Sequence, residues 1–317
     1  MKQFLKSLLQ FTTFATLLYV VLIFLWGDYA PTKFKKNLNY KIGFGGHLFT
    51  RLQEVAEQDP VDVLFLGSSH AYRGFDVRIF ERAGIRSFNL GSSGQSPIQS
   101  TLLLDRYLAQ LKPRIVVFEV FPRTFCSDGV ESSLDMIANA KNDWDSMFMA
   151  LRQGNARVFN TLIYGLWMDT IGRNAAFSEP AKRGRDLYIS GGFVERMPNL
   201  PGVEIETNFP PEEWEINETQ FEEFDKMVDR LEAAGITLIL IQAPITKAYF
   251  NSYTNNDEFD RRMNVYGNYY NFNHLINLDD GLHFYDSHHL TQVGVELFNA
   301  KIVEILKATE AQEPSAN

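Results

Sequence analysis

Cysteine is almost absent from the chain, which has 317 residues and a single cysteine, Cys126. One thiol excludes an internal disulfide and any zinc site built from cysteine ligands. The fold is therefore expected to rest on a hydrophobic core, and a chain of this length can bury a substantial one. Hydrophobic residues make up 45% and charged residues 22% of the sequence, which is the balance of an ordinary globular protein.

Long basic runs are absent as well, and the formal net charge is −9, from 30 basic and 39 acidic residues. Neutralisation of phosphates by lysine and arginine supplies most of the affinity of nucleic-acid-binding proteins. The short basic runs at residues 33–36 and 182–185 are interpreted as solvated loops. The composition thus argues against a nucleic-acid partner.

One long hydrophobic run is present, and it extends from Leu8 to Trp26 with one glutamine and three threonines inside it. About 20 apolar residues in a helix are enough to span a bilayer. Trp26 and Tyr29 stand where an interfacial aromatic belt would lie. The residues after Trp26 offer no strong small-residue cleavage site, so we interpret residues 1–30 as an uncleaved membrane anchor and not as a signal peptide. Lysines on both flanks leave the orientation undecided by charge alone.

Strand and helix patterns alternate after the hydrophobic run. Residues 31–60 are interpreted as a polar linker with a first helix over 47–57, and a last helix is predicted over 291–306. Alternating strands and helices predict an α/β domain over 61–307 with a doubly wound, flavodoxin-like parallel sheet. Residues 308–317 are predicted to be a disordered tail. The predicted strands are 63–66, 85–90, 115–120, 236–241 and a shorter one over 269–275.

The alternation stops between residues 125 and 210, which we interpret as an insertion into the sheet domain. Its first part has the apolar periodicity of helices, and residues 180–210 have the composition of a loop. We expect the insertion to pack as a helical appendage near the ends of the strands.

Two short motifs carry most of the chemical information. Gly67-Ser68-Ser69-His70 directly follows an all-apolar predicted strand, so Ser69 would stand at the carboxyl end of a buried strand as a candidate nucleophile. The segment from Asp286 to His289 directly precedes the last predicted helix. A histidine three residues after an aspartate is a candidate general base with its own orienting carboxylate. In doubly wound sheets the carboxyl ends of the strands line the ligand site, which would bring both motifs together.

These motifs resemble those of the SGNH/GDSL hydrolase superfamily. The strand followed by Gly67-Ser68-Ser69 is similar to its first block, with Ser68 in place of the aspartate. The segment from Phe88 to Gly94 is similar to its second block, and the segment from Asp286 to His289 is similar to its fifth. The resemblance covers residues 61–306 without the insertion.

The resemblance implies a role for each motif residue. Ser69 would be the nucleophile, His289 the general base and Asp286 the orienting acid. The backbone N–H groups of Ser69 and Gly94 would form the oxyanion hole. Within the superfamily, an anchored chain with a Gly-Ser-Ser motif looks most like the membrane-tethered cell-envelope members, which include the DltD and AlgJ/AlgX types.

The third block of the superfamily has no counterpart here. Its asparagine donates to the oxyanion, but after the third predicted strand this chain has Phe121-Pro122-Arg123. Loss of one oxyanion donor typically costs about 10²–10³ in turnover. Arg123 is the nearest candidate substitute. The alternative is that Arg123 pairs with a carboxylate such as Glu119 or Asp76 and only braces the loop.

The remaining histidines near the motifs are interpreted as structural. His70 is expected to be a wall residue, and His288 is expected to be a surface neighbour that points away from the site. His283 stands close to Asp279 and Asp280, but no sharp ligand spacing accompanies them. We therefore predict neither a metal nor a cofactor.

Together these features predict an acyl esterase or O-acyltransferase acting on an acylated cell-envelope glycan or glycolipid. The protein would be held in the membrane by a single span, with its catalytic domain in the periplasm or another extracytoplasmic space, and a membrane acyltransferase is a candidate partner. One alternative is a catalytically degenerate domain that binds a glycan or a partner protein. Another is an anchored enzyme that faces the cytosol and acts on esters there.

Overall fold

The computed structural model describes residues 1–197 and 205–312 of the chain. Its main sheet has five parallel strands in the order β2-β1-β3-β7-β8, which is the flavodoxin-like order. The predicted doubly wound α/β fold is therefore confirmed. The strands are β1 Val63–Leu66, β2 Ser87–Asn89, β3 Ile115–Glu119, β4 Lys182–Arg183, β5 Asp186–Ile189, β6 Phe193–Arg196, β7 Thr237–Gln242 and β8 Tyr269–Asn271.

Helices connect the strands and cover the sheet. Short 3₁₀ turns are also present at Thr32–Phe34 and Arg173–Ala176. The helices are α1 Lys2–Tyr29, α2 Leu48–Ala56, α3 Ser69–Gly74, α4 Val77–Arg82, α5 Pro97–Leu111, α6 Pro122–Cys126, α7 Val130–Asn139, α8 Trp144–Gln153, α9 Ala156–Thr170, α10 Glu218–Ala233, α11 Lys247–Ser252, α12 Asn256–Asn264, α13 Phe272–Leu275, α14 Asp280–His283 and α15 Gln292–Gln312.

Both faces of the main sheet are buried, because alternate side chains of each strand enter different cores. Leu64 and Leu66 of β1 pack with the apolar faces of α5, α7 and α10. Val63 and Phe65 of the same strand pack with α4 and α15 on the opposite face. Burial on both faces explains why β1 is apolar throughout and why β3 is apolar at every position before Glu119, its last residue.

Several element ends follow from local sequence signals. Helix α5 begins at a capping box, in which Ser96 and Gln99 satisfy each other's backbone groups, and Pro97 occupies its first turn. Asp76 caps α4 by accepting a hydrogen bond from the Arg78 N–H. These caps fix the residue at which each helix begins.

The segment predicted as a loop over 180–210 contains β4, β5 and β6, which form a three-stranded antiparallel sheet, so that prediction was wrong for these strands. The strands are short, and tertiary contacts hold them. Asp186 pairs with Arg73 at 2.7 Å and with Arg196 at 2.9 Å, and the Asn89 N–H donates to the Gly191 carbonyl. Such contacts leave no periodic pattern in the sequence. Residues 198–204 of the predicted loop lie outside the described residues.

Two other predicted boundaries differ from the structure. Helix α15 continues to Gln312, so residues 308–312 are helical and the predicted tail began too early. An ion pair of 2.6 Å between Arg114 and Glu310 holds this extension. Residues 313–317 lie outside the described residues. The strand predicted over 269–275 ends at Asn271, whose side chain caps α13.

Helix α1 is the single helix among the described residues that is long and apolar enough to cross a membrane by length and composition. One side of it packs against α9. The rings of Phe24 and Trp167 stack with their centroids 4.8 Å apart, and the ring of Tyr164 fills the space where a side chain at Gly27 would lie. The hydroxyl of Tyr164 also donates to the Asp28 carboxylate at 2.7 Å. The insertion is therefore the part of the domain that contacts the apolar helix.

Candidate active site

Ser69 is the first residue of α3, directly after the turn that follows β1. Gly67 makes this turn possible, because its φ is +132° and a Cβ there would lie 2.7 Å from the Cβ of Glu119. Ser68 caps α3, and its Oγ accepts a hydrogen bond from the His70 N–H. Ser69 is partly exposed, whereas both of its neighbours are buried. The turn thus exposes the hydroxyl of Ser69 to solvent and keeps the hydroxyl of Ser68 buried in the protein.

The structure brings Ser69, His289 and Asp286 together. The Nε2 atom of His289 lies 2.8 Å from the Oγ of Ser69, and its Nδ1 atom lies 2.9 Å from one carboxylate oxygen of Asp286. The expected contact between Asp286 and His289 is therefore present. A serine, a histidine and an aspartate in this sequence of contacts form the arrangement that activates a serine nucleophile.

A tight loop between α14 and α15 holds the histidine. The Tyr285 N–H donates to the His289 carbonyl at 3.0 Å, which closes the loop at its base. Asp286 accepts hydrogen bonds from the backbone N–H groups of His288 and His289, at 3.0 and 2.8 Å. The Ser287 carbonyl accepts from the N–H and the hydroxyl of Thr246, at 3.0 and 2.8 Å, which ties the loop to the end of β7.

The electrostatics favour a neutral base beside an ionised acid. Burial lowers the pKa of His289 below its ordinary value, although the hydrogen bond to Asp286 opposes this shift. Burial by itself would raise the pKa of Asp286, but the hydrogen bond and the charge of His289 hold it well below its usual range. The ring of His289 also stacks on the rings of Tyr285 and His70, with centroids 5.5 and 5.1 Å away. At neutral pH its Nε2 atom is thus free to accept a proton.

The loop after β2 lies against the nucleophile turn. The Ser92 N–H donates to the Gly67 carbonyl at 3.0 Å, and Gly94 adopts a φ of +60° two residues later. Within residues 1–197 and 205–312, the N–H groups of Ser69 and Gly94 donate no hydrogen bond to the protein. N–H groups that have no partner within the protein suit an oxyanion hole. Their assignment to one remains a prediction.

Arg123 is exposed at the start of α6, and its guanidinium donates to the Tyr253 hydroxyl at 3.4 Å. The alternative in which Arg123 pairs with Glu119 or Asp76 was wrong. Asp76 pairs with Arg78 at 2.7 Å, and Glu119 accepts its hydrogen bonds from Ser68. A role of Arg123 in the oxyanion hole remains a prediction.

Glu119, the last residue of β3, was not assigned to the site from the sequence. It is buried, and one carboxylate oxygen accepts hydrogen bonds from the hydroxyl and the N–H of Ser68, at 2.7 and 3.3 Å. Burial raises its pKa to about 8, although the hydrogen bonds from Ser68 oppose the shift. A glutamate inside an otherwise apolar strand was the signal that could have identified it, because a buried carboxylate needs a partner.

His288 does not point away from the site, so the prediction of a surface neighbour was wrong. The residue is half-buried, its Nδ1 atom lies 3.3 Å from the Nε2 atom of His70, and its ring centroid lies 4.0 Å from that of His289. The adjacent side chains of His288 and His289 converge because the Asp286 carboxylate accepts hydrogen bonds from the backbone N–H groups of both residues. These two hydrogen bonds bend the loop around the carboxylate. Burial lowers the pKa of His288 to about 3, and burial also lowers the pKa of His70 well below its usual range.

His283 is separate from this cluster. Its Nδ1 atom accepts a hydrogen bond from the Asp279 N–H at 2.8 Å, so it closes the turn of α14.

An aromatic group forms the wall beside His288, and the rings of Trp214 and Tyr253 in it stack 3.3 Å apart. The members of this wall are Phe121, Trp214, Tyr249 and Tyr253.

No family model and no curated protein matches the sequence. The chain is similar to several solved structures. One is a GDSL-like lipase from Bacteroides thetaiotaomicron, with 15% identity, a TM-score of 0.41, and coverage of 83% of this chain and 98% of the other. Another is a putative acylhydrolase from Bacteroides fragilis, with 15% identity, a TM-score of 0.41, and coverage of 83% and 97%.

A third similar structure is a putative lipolytic protein of the G-D-S-L family from Desulfitobacterium hafniense. Its identity is 14%, its TM-score is 0.36, and the match covers 77% of this chain and 98% of the other. At such low identity, the proposal for this chain rests on the geometry of its own site.

Proposed function

We propose that this chain is a membrane-anchored SGNH-type enzyme that cleaves or transfers acyl groups on an acylated cell-envelope glycan or glycolipid. The observation that carries the proposal is the pair of contacts of His289. Its Nε2 atom lies 2.8 Å from the Oγ of Ser69, and its Nδ1 atom lies 2.9 Å from Asp286. A neutral, carboxylate-backed imidazole beside a partly exposed serine supports nucleophilic catalysis.

The reaction begins when the Oγ of Ser69 attacks the acyl carbonyl carbon and His289 takes its proton at Nε2. The Asp286 carboxylate stabilises the imidazolium that forms. The N–H groups of Ser69 and Gly94 donate to the oxyanion of the tetrahedral intermediate. His289 then gives its proton to the departing alcohol as the bond between carbon and that alcohol oxygen breaks. An acyl-serine and a free hydroxyl result.

The second half of the reaction distinguishes an esterase from an acyltransferase. His289 deprotonates either water or a sugar hydroxyl, and that oxygen attacks the acyl carbon of the acyl-serine. The bond between the acyl carbon and the Ser69 Oγ then breaks, and His289 returns the proton to that oxygen. Water yields a free carboxylic acid, and the sugar hydroxyl yields a new ester. Both outcomes use the same three side chains, so the acceptor decides between them.

The apolar helix α1 supports a membrane location. It leaves almost all of its surface outside the protein core, and the contacts of Phe24 with Trp167 and of Asp28 with Tyr164 hold the domain close to it. Tethering would raise the local concentration of the enzyme at a membrane-attached substrate or beside a membrane acyltransferase. We propose that the domain faces the periplasm or another extracytoplasmic space.

Turnover of a p-nitrophenyl acyl ester by the full chain in detergent tests the enzymatic proposal. The native protein should release p-nitrophenol, and Ser69→Ala should abolish the release without changing the thermal unfolding temperature by more than a few degrees. Addition of an oligosaccharide acceptor then separates the two reactions, since acyl transfer produces an acylated sugar that mass spectrometry detects. Native protein that unfolds cooperatively yet releases no product would favour the binding-module alternative.

Protease treatment of spheroplasts tests the topology. Added protease should digest the chain beyond residue 40 if the domain faces outward. Full protection, with digestion only after lysis, would place the domain in the cytosol.

A further inference from the structure

Three histidines converge beside the nucleophile, although only His289 has a part in the proposed reaction. One ring nitrogen from each of His70, His288 and His289 lies within 4.8 Å of the others. His70 is buried, and its ring packs against Phe121 with centroids 4.2 Å apart. Three imidazoles with nitrogens facing one point are the ligand set of many zinc sites.

The distances are close to those that a metal requires. Zinc lies about 2.0–2.1 Å from an imidazole nitrogen, so two ligands of a tetrahedral site are about 3.3 Å apart. The Nε2 atom of His70 and the Nδ1 atom of His288 are 3.3 Å apart. The nitrogen of His289 lies within 4.8 Å of both, and metal binding would draw it closer to the other two.

The hydrogen bonds behind the rings of His70 and His289 fix which nitrogen of each ring faces the cluster. Ser68 donates its hydroxyl proton to Glu119, so its Oγ accepts from the Nδ1 atom of His70 at 3.1 Å, and the Nε2 lone pair of His70 faces His288. The Nδ1 atom of His289 lies 2.9 Å from the Asp286 carboxylate, which leaves its Nε2 atom facing Ser69. Carboxylates that support the far nitrogen of an imidazole, directly or through a hydroxyl, are the usual second shell of histidine ligands.

We propose that His70, His288 and His289 bind a divalent transition metal ion of the zinc class. Imidazole nitrogens select zinc, copper and nickel over magnesium and calcium, which prefer oxygen ligands. The fourth position of the ion faces the Oγ of Ser69, the present partner of His289. A bound ion therefore occupies the lone pair that His289 uses as a base, and metal occupancy switches off acylation of Ser69. The switch rests on the proposed function, but the binding site itself does not.

Zinc titration of the full chain in detergent, in competition with a chromophoric chelator, tests the site. The native protein should bind one equivalent of Zn²⁺ and no Mg²⁺. His288→Ala should weaken zinc binding by about 100-fold or more, because a direct ligand is lost. His274→Ala is the matched control, since this exposed histidine lies outside the cluster, and it should bind zinc as the native protein does.

Two further variants guard against a folding defect. His288→Gln keeps most of the side-chain volume, and His70→Asn removes a different ligand; both should lose zinc binding while retaining a cooperative unfolding transition without zinc. Failure of the native protein to bind one equivalent, or equal affinities of His288→Ala and His274→Ala, would overturn the site.

Labelling of the serine by a fluorophosphonate distinguishes this proposal from the proposed function. One equivalent of Zn²⁺ should suppress labelling of the native protein, and EDTA should restore it. Intact labelling without zinc binding would refute the metal site and leave the enzymatic proposal standing. Zinc binding by a protein that never reacts with the probe would refute the enzymatic proposal and retain the metal site. Zinc binding that leaves labelling unchanged would refute the switch.

Discussion

The hydroxyl of Ser68 donates a hydrogen bond of 2.7 Å to the buried carboxylate of Glu119. This contact joins the carboxyl ends of β1 and β3, the two strands that flank the switch point of the sheet. The same hydroxyl accepts the His70 N–H and so caps α3. The two serines of the motif thus have different roles, because Ser68 fixes the turn and Ser69 faces solvent.

Glu119 makes the stability of the protein depend on pH. Its pKa is about 8 in the folded state against an ordinary value of 4.5, so the folded state keeps a proton that the unfolded state has released between these values. The free energy of unfolding should therefore fall as pH rises through this range, by up to about 1.4 kcal/mol per pH unit. The glutamine of the Glu119→Gln variant cannot titrate. Its free energy of unfolding, measured by urea denaturation between pH 5 and 8, should therefore lack this part of the dependence on pH. Equal slopes for both proteins would contradict the assignment.

Gly67 should tolerate no side chain. A Cβ there would lie 2.7 Å from the Cβ and 2.9 Å from the carbonyl oxygen of Glu119, in addition to the cost of a positive φ. Gly84→Ala is a matched control, because Gly84 has a φ of +82° and open space around it. We expect Gly84→Ala to cost about 1 kcal/mol of unfolding free energy and Gly67→Ala at least about 3 kcal/mol. Similar losses in both variants, measured by urea denaturation, would show that the contact with Glu119 is unimportant.

Asp286→Asn should impair the base while leaving the fold intact. The carboxylate fixes the orientation and tautomer of His289, and an amide at this position can reverse both. The rate of ester hydrolysis should fall by about 10³–10⁴-fold. Asp257→Asn, an exposed position at the start of α12, should keep the native rate. A loss of less than tenfold for Asp286→Asn would remove it from the proposed triad.

Arg123 should contribute to turnover through its charge and not through its contact with Tyr253. If it stabilises the oxyanion, Arg123→Ala should lower turnover by about 10²-fold. Tyr253→Phe removes the 3.4 Å contact alone and should keep a turnover within a fewfold of the native value. Equal losses in the two variants would mean that Arg123 only braces the loop before α6.

Local signals predicted most of the fold. The apolar runs at β1 and β3 each depend on residues close together in sequence, and the structure has a strand where each run predicted one. The three-stranded sheet of β4–β6 was missed, because its position depends on Asp186 reaching Arg73, 113 residues away. Short strands whose position depends on ion pairs with residues far away in sequence leave no periodic pattern from which they can be predicted.

The site was only partly predictable for the same reason. The positions of Ser69, Asp286 and His289 follow from motifs at strand ends, and the structure brings these residues together. Glu119 and His288 were missed, since their roles depend on how two loops converge. A tripeptide of serine and two histidines gives no indication that Asp286 will turn both imidazoles inward.

Identification of the residue that a fluorophosphonate probe modifies tests the central claim most directly. Full-length protein should be labelled once, and peptide mapping should place the adduct on Ser69. Ser69→Ala should lose the label, whereas Ser93→Ala, which removes a hydroxyl that contacts Tyr72 at 3.2 Å, should retain it. Labelling of Ser69→Ala at the native rate, or an adduct on any other serine, would contradict the claim that Ser69 is the nucleophile.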